Sequence, residues 1–142
     1  MAYHITEKCI GCGACAKLCP VFAISGKRDA VHTINSVRCV NCGVCTRVCL
    51  NGSICDETGA VPPRLPRNQW PMPVINQTEC TACRQCTEVC TPEALAVTLP
   101  QFRGDIRVFV ECAAPEKCIG CGLCVRACPL RLITMQAPGG AA

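Results

Sequence analysis

The β-branched and other apolar residues of this chain fall in short runs, each followed or preceded by a loop dense in cysteine. Tyr3-His4-Ile5-Thr6, Ala30-Val31-His32-Thr33-Ile34, Pro73-Val74-Ile75-Asn76, Leu95-Ala96-Val97-Thr98-Leu99, Ile106-Arg107-Val108-Phe109-Val110 and Leu132-Ile133-Thr134-Met135 all read as short strands. Segments such as Cys15-Ala16-Lys17-Leu18-Cys19 suit one helical turn. The order is strand, cysteine loop, short helix, turn, strand, then the same again, and the whole pattern recurs in the second half of the chain. That predicts an α+β fold of small two-stranded sheets and short helices. Residues 61–73 hold five prolines in thirteen positions, which excludes helix interior and central strand and predicts a stiff, extended connector. The expected organisation is therefore one domain over 1–60, a linker over 61–73, a second domain over 74–137 and a flexible tail over 138–142.

The cysteines change the picture from a fold class to a chemistry. One spacing, Cys-x2-Cys-x2-Cys-x3-Cys, occurs four times, at Cys9, Cys12, Cys15 and Cys19; Cys39, Cys42, Cys45 and Cys49; Cys80, Cys83, Cys86 and Cys90; and Cys118, Cys121, Cys124 and Cys128. Sixteen of the eighteen cysteines fall in it, and it is the spacing of thiolate ligands to cubane iron-sulfur clusters. Three cysteines at three-residue intervals let one loop wrap a cubane and offer three corners; the fourth corner must come from elsewhere. Zinc is the rival occupant, but it is usually held by two separated Cys-x2-Cys knuckles, and three cysteines in a row repeated four times fit cubanes better. Gly11, Gly13, Gly43, Gly120 and Gly122 sit between ligands, where positive φ aims N–H groups at cluster sulfurs. The third motif has Ala82 and Arg84 instead, and a guanidinium there is expected to stabilise the reduced cluster. Cys55 and Cys112 lie outside the pattern and read as small buried apolar residues.

Each half resembles a bacterial two-cluster ferredoxin, and Cys19-Pro20 and Cys128-Pro129 match that family's terminal Cys-Pro. The resemblance implies two tandem bicluster-ferredoxin-like domains in which each fourth cysteine ligates the other cluster. Cluster I would take Cys9, Cys12, Cys15 and Cys49, and cluster II Cys39, Cys42, Cys45 and Cys19. Cluster III would take Cys80, Cys83, Cys86 and Cys128, and cluster IV Cys118, Cys121, Cys124 and Cys90. The alternative is nested pairing of the first motif with the last and the second with the third, as in four-cluster subunits of molybdenum reductases. The nineteen-residue gap between Cys19 and Cys39 and the stiff linker favour tandem pairing. Two departures from the family stand out: Cys49 and Cys90 are followed by Leu50 and Thr91, with Pro92 one place late.

Composition and charge narrow the setting. Half of the residues are apolar, but eighteen of these are Cys, so the clusters are expected to supply much of the folding free energy and the apo chain to be largely unfolded. No basic start followed by an apolar run precedes Cys9, no stretch approaches the ~20 apolar residues of a membrane span, and free thiols point to a reducing cytoplasm. The formal charge of +4 counts each ligand thiol as neutral. Four thiolates on an oxidised cubane leave about −2 per cluster, which takes the loaded chain to about −4 and removes the electrostatic motive for nucleic-acid binding. His4 and His32 begin no catalytic constellation and read as strand residues, and no catalytic residue set or nucleotide loop is visible.

A chain made almost entirely of cysteine loops has little room for a substrate pocket and reads as a wire, not an enzyme. It resembles the polyferredoxin subunits of anaerobic oxidoreductase complexes. Its size, the Trp70-Pro71-Met72-Pro73-Val74-Ile75 lead into the third motif, and Cys128-Pro129-Leu130 resemble the ferredoxin-like subunit of a tungsten aldehyde oxidoreductase. That resemblance implies a large catalytic partner of the tungsten or molybdenum pterin kind and an exit for electrons to a flavin subunit or a soluble carrier. Trp70 is expected either to anchor such a partner or to pack over a neighbouring half. Two other readings stay open, a freely diffusing carrier and a cluster-assembly scaffold. A wire with a terminus at each end can also stack head to tail on itself.

Overall fold

A computed structural model of the chain describes residues 2–137, so the expected flexible tail over 138–142 lies outside the described residues. The chain divides into two units, Met1–Asn68 and Gln69–Ala142, and the division falls inside the proline-rich segment. In the first unit the elements are β1 (His4–Ile5), α1 (Ala14–Leu18), β2 (Ile24–Ser25), β3 (Thr33–Ile34), α2 (Val44–Val48) and β4 (Ile54–Cys55). The second repeats the order with β5 (Met72–Ile75), α3 (Gln85–Val89), β6 (Leu95–Val97), β7 (Val110–Cys112), α4 (Leu123–Ala127) and β8 (Ile133–Gln136). This is the small α+β fold that the alternation of runs and loops predicts.

The topology is the same in both units. Outer strands pair antiparallel, β1 with β4 and β5 with β8, and inner strands pair as hairpins, β2 with β3 and β6 with β7. Registers place Ile5 opposite Ile54, Ile24 opposite Ile34, Ile75 opposite Ile133 and Val97 opposite Val110. Helices of five residues have no stability of their own in water, since nucleation costs more than one turn returns. They persist here because α1 packs on α2 and α3 on α4, each pair being enclosed by its two sheets.

The apolar cores are thin. In the first unit Cys15, Cys19, Ala23, Ile24, Cys45 and Ile54 are buried together, and in the second Cys86, Leu95, Val110, Cys124 and Ile133. Cysteine sulfur thus stands where a larger domain would place Leu or Phe, so whatever the thiols bind is part of the core.

Three sequence expectations are corrected. Of the run Ile106–Val110 only Val110 is strand: the Asp105 carboxylate accepts from Gln101 N at 2.9 Å and from Arg107 N at 3.0 Å, and Val108 N donates to Ile106 O at 3.2 Å. These local bonds curl the segment, and pairing resumes only where Thr98 N donates to Phe109 O at 2.8 Å. The strands Ile24–Ser25 and Ile54–Cys55 escape the sequence reading because two residues carry no visible period. The segment 61–73 is not extended throughout: Arg67–Gln69 form a 3-10 turn, and β5 already begins at Met72. Pro73 is tolerated in β5 because a two-stranded sheet leaves every strand an open edge toward which the missing N–H can face. Trp70 is 6% exposed, so its ring is buried and is not offered to a partner as an exposed anchor.

Ile54→Ala, at a side chain 2% exposed against the first core, is expected to destabilise that unit by about 2–5 kcal/mol. The same truncation at Val37, 92% exposed, should change stability by less than about 0.5 kcal/mol. Guanidinium titration of the loaded protein, followed by visible absorbance and far-UV dichroism, checks both.

Candidate metal centres

Each cysteine motif is built by one backbone device. The residue before the helix is left-handed, Gly13 at φ 77°, Gly43 at 75°, Arg84 at 68° and Gly122 at 73°, and the helix starts at the next position. That kink reverses the loop of the first two cysteines onto the third. The fourth sits at the helix C-cap with extended backbone in three motifs, as at Cys19 (φ −66°, ψ 114°). Cys19 N donates to Cys15 O at 3.0 Å and Cys128 N to Cys124 O at 3.1 Å, so third and fourth cysteines stand one helical turn apart.

That turn sends the two sulfurs to different places. Cys9, Cys12 and Cys15 line a recess of about 370 Å³ together with Cys49, from the other motif of the unit. Cys39, Cys42 and Cys45 line a second, of about 320 Å³, together with Cys19. Cys80, Cys83 and Cys86 line a third, of about 360 Å³, with Cys128. Cys118, Cys121 and Cys90 stand within electrostatic reach of Cys124. Among the described residues no three Cys, His, Asp or Glu side chains are close enough to share a single metal ion. The thiols line shared recesses instead, which fits a polynuclear group bonded by several sulfurs at once.

Backbone N–H groups point at these sulfurs in a repeated way. Four residues after the fourth cysteine, Ala23 N donates to Cys19 Sγ at 3.3 Å, Ser53 N to Cys49 Sγ at 3.3 Å, Ala94 N to Cys90 Sγ at 3.3 Å and Leu132 N to Cys128 Sγ at 3.4 Å. The intervening turn places Phe22, Gly52, Glu93 and Arg131 at φ 53–57°, left-handed in every motif. Three of those are not glycine, so this device has no sequence signature. Gly11 N donates to Cys9 Sγ at 3.4 Å and Val110 N to Cys80 Sγ at 3.4 Å. Donors of this kind stabilise charge on sulfur.

Without metal the most deeply placed of these thiols resist ionising. Burial pushes the Cys45 thiol up to about 12, with the neighbouring Cys42 and Cys15 sulfurs adding to it. Burial likewise lifts Cys124 to about 12, and raises Cys15, Cys42 and Cys86. Cys49 goes the other way: burial opposes its ionisation, but the Ser53 hydroxyl and the N–H groups of Ser53, Asn51 and Gly52 outweigh that and hold it below the usual value. Four like charges in one recess need a compensating cation, which iron supplies on binding.

The remaining candidates fall out unevenly. All five inter-cysteine glycines take positive φ, and Ala82 (54°) and Arg84 (68°) take the same conformation. At Gly11 the reason is also steric, since a Cβ there would lie 2.4 Å from Ala30 N and 2.6 Å from Ala30 O. Arg84 is exposed, whereas Arg47 is buried and donates Nη2 to the Cys42 carbonyl at 3.2 Å. Only the position of α2 over the second recess makes that cation visible. His4 lies in β1, while His32, just before β3, is 4% exposed and lines the first recess with Nδ1 3.1 Å from Ala30 O. Cys55 and Cys112 are half-exposed strand residues rather than buried ones, because two-stranded sheets leave one face open. Cys55 Sγ donates to His4 O at 3.7 Å, and Cys112 stands near Cys118 and Cys90.

Rings of thiols, each with buried members and fed by oriented N–H groups, define a protein that carries multiple [4Fe-4S] clusters. The 4Fe-4S dicluster domain family matches residues 8–53 and the 4Fe-4S binding domain family residues 114–134. The third motif, the one that lacks the glycines, lies outside both stretches. The chain is 50% identical over 36 residues to a ferredoxin of Clostridium pasteurianum, and 57% identical over 35 residues to one of Clostridium sp. (strain M-E). Each match covers 25% of this chain and 62% of the relative's length. A chain of the formate dehydrogenase–heterodisulfide reductase–formylmethanofuran dehydrogenase complex from Methanospirillum hungatei superposes with a TM-score of 0.46 at 20% identity, covering 99% of this chain and 53% of that one. No helix is long and apolar enough to cross a membrane among the described residues.

Gly11→Ala should cost the first unit part of its iron, because its Cβ would strike the Ala30 backbone, which cannot swing away. Gly13→Ala meets nothing within 4 Å and should retain iron at a strain cost of about 1 kcal/mol. Iron and acid-labile sulfide per chain, measured after anaerobic purification, decide between these outcomes.

Proposed function

We propose that this chain is the electron-transfer subunit of an oxidoreductase complex, with four [4Fe-4S] clusters in two tandem bicluster units and no catalysis of its own. In this reading cluster I is held by Cys9, Cys12, Cys15 and Cys49, cluster II by Cys39, Cys42, Cys45 and Cys19, cluster III by Cys80, Cys83, Cys86 and Cys128, and cluster IV by Cys118, Cys121, Cys124 and Cys90. The observation that carries it is the sharing of the first unit's helices between two rings: Cys15 lines one recess and Cys19, one turn on, lines the other, while Cys45 and Cys49 do the reverse. When bound, the clusters supply reversible one-electron chemistry. The protein's own part is to hold the sulfurs, exclude water and aim N–H groups at developing negative charge. Tandem rather than nested pairing is supported by the company Cys49 and Cys128 keep.

The catalytic partner is a large oxidoreductase subunit, of the tungsten or molybdenum pterin aldehyde oxidoreductase kind, and electrons leave toward a flavin subunit or soluble carrier in the cytoplasm. The support for a partner is that the three thiol-ringed recesses are lined mainly by apolar residues and cysteine, which suits a cluster rather than a substrate. Likeness to clostridial ferredoxins over a quarter of the chain favours a second reading, a freely diffusing carrier. Anaerobic isolation at native expression separates them. Copurification with a large catalytic chain is expected, and a brown monomer without partners would sink the subunit reading.

Ligand exchange has its own test. Cys9→Ala and Cys49→Ala should each remove one cluster's iron, and the double variant no more than either single one; loss of two clusters in the double variant would contradict tandem exchange. Arg84→Gly should lower one midpoint potential, read by anaerobic titration with paramagnetic resonance detection, since a cation beside a cluster favours its reduced form.

A further inference from the structure

The motifs are alike in backbone but differ in one buried side chain. The residue whose N–H donates to the fourth cysteine is Ala23 in the first motif, Ala94 in the third and Leu132 in the fourth, none of which carries a side-chain donor. In the second motif it is Ser53, 2% exposed, with Oγ 3.1 Å from Cys49 Sγ and its backbone N 3.3 Å from the same atom. Once Cys49 is a thiolate it can only accept, so the hydroxyl must donate. Ser53 is held in place from the far side. Its carbonyl accepts from Thr6 N at 2.7 Å and from Thr6 Oγ1 at 3.1 Å, which ties it to the end of β1. Ser53 also lines the first recess, and at a side chain this buried a hydrogen bond to charge is worth more than at the surface.

We propose that Ser53 is a positioning residue that tunes one of the clusters: its hydroxyl adds a side-chain hydrogen bond to the Cys49 sulfur and raises the midpoint potential of cluster I. The inference rests on Cys49 being a ligand of that cluster. Reduction adds one electron to the iron-sulfur core and transfers no proton; the Ser53 proton stays on its oxygen throughout. The extra negative charge spreads onto the ligand sulfurs, so a donor at one sulfur stabilises the reduced form more than the oxidised. Among the four fourth-cysteine turns, the one that serves cluster I is the one with a side-chain donor.

The experiment is an anaerobic redox titration of the full chain, followed by paramagnetic resonance, for wild type, Ser53→Ala and Ser53→Thr. A fall in one midpoint in Ser53→Ala with the others unmoved, and its recovery in Ser53→Thr, is the expected result. A Ser53→Ala protein with full iron and unchanged midpoints overturns the inference. Should Ser53→Ala fail to load, Ser53→Cys, whose thiol is a weak donor of similar size, decides in the same way: a lowered midpoint supports the role and an unchanged one removes it. Iron and sulfide content read alongside keep the two ideas apart. A chain without clusters defeats the cluster assignment itself, whereas a fully loaded chain with unshifted midpoints defeats only the role of Ser53.

Discussion

Sulfur-to-iron ligation is the constraint on which the structure depends, because the chain has too little apolar matter to fold around anything else. Buried cysteines take up much of each core, alongside a few residues such as Ile24, Ile54, Leu95 and Ile133. Strands of two to four residues and helices of five cannot be stable alone. Their arrangement makes sense as a frame that delivers four sulfurs to each recess, and the metal returns the stability that the frame lacks.

Holding charge in so small a core raises a second problem. Burial drives thiols such as Cys45 and Cys124 toward about 12, so a loaded centre must be supplied with compensating dipoles. The answer is a turn repeated four times after the fourth cysteine, in which a left-handed residue swings the next N–H onto the sulfur. Because the donors are backbone, side chains at the turn are free to vary, as Phe22, Gly52, Glu93 and Arg131 do. What varies then sets the individual character of each centre: Ser53 beside Cys49, the buried Arg47 beside Cys42, the exposed Arg84 in the third loop.

The sharing of one helix between two rings joins local structure to the proposed role. A helical turn separates the sulfurs of Cys15 and Cys19, and each faces a different recess, so neighbouring centres in a unit are linked through a few covalent bonds. A frame of this sort suits charge relay.

The cysteine spacing was legible from residues alone because ligation by a loop demands a fixed number of residues between sulfurs, and no other chemistry asks for this interval four times over. The alternation of short runs with loops carried the fold class for the same reason. Strand limits were not legible: Ile106–Val110 has strand composition, yet the Asp105 carboxylate captures the Arg107 N–H and the segment curls until Val110. Nor could Trp70, Cys55, Cys112 or Arg47 be placed, since exposure depends on what packs over a residue and not on its own chemistry. The left-handed turn behind each fourth cysteine was hidden as well, because hydrogen bonds to sulfur hold Phe, Glu and Arg in a conformation that composition would assign to Gly. Sequence determined which atoms could bind metal; only the folded chain decided which sulfurs share a recess, and which side chains stand close enough to tune them.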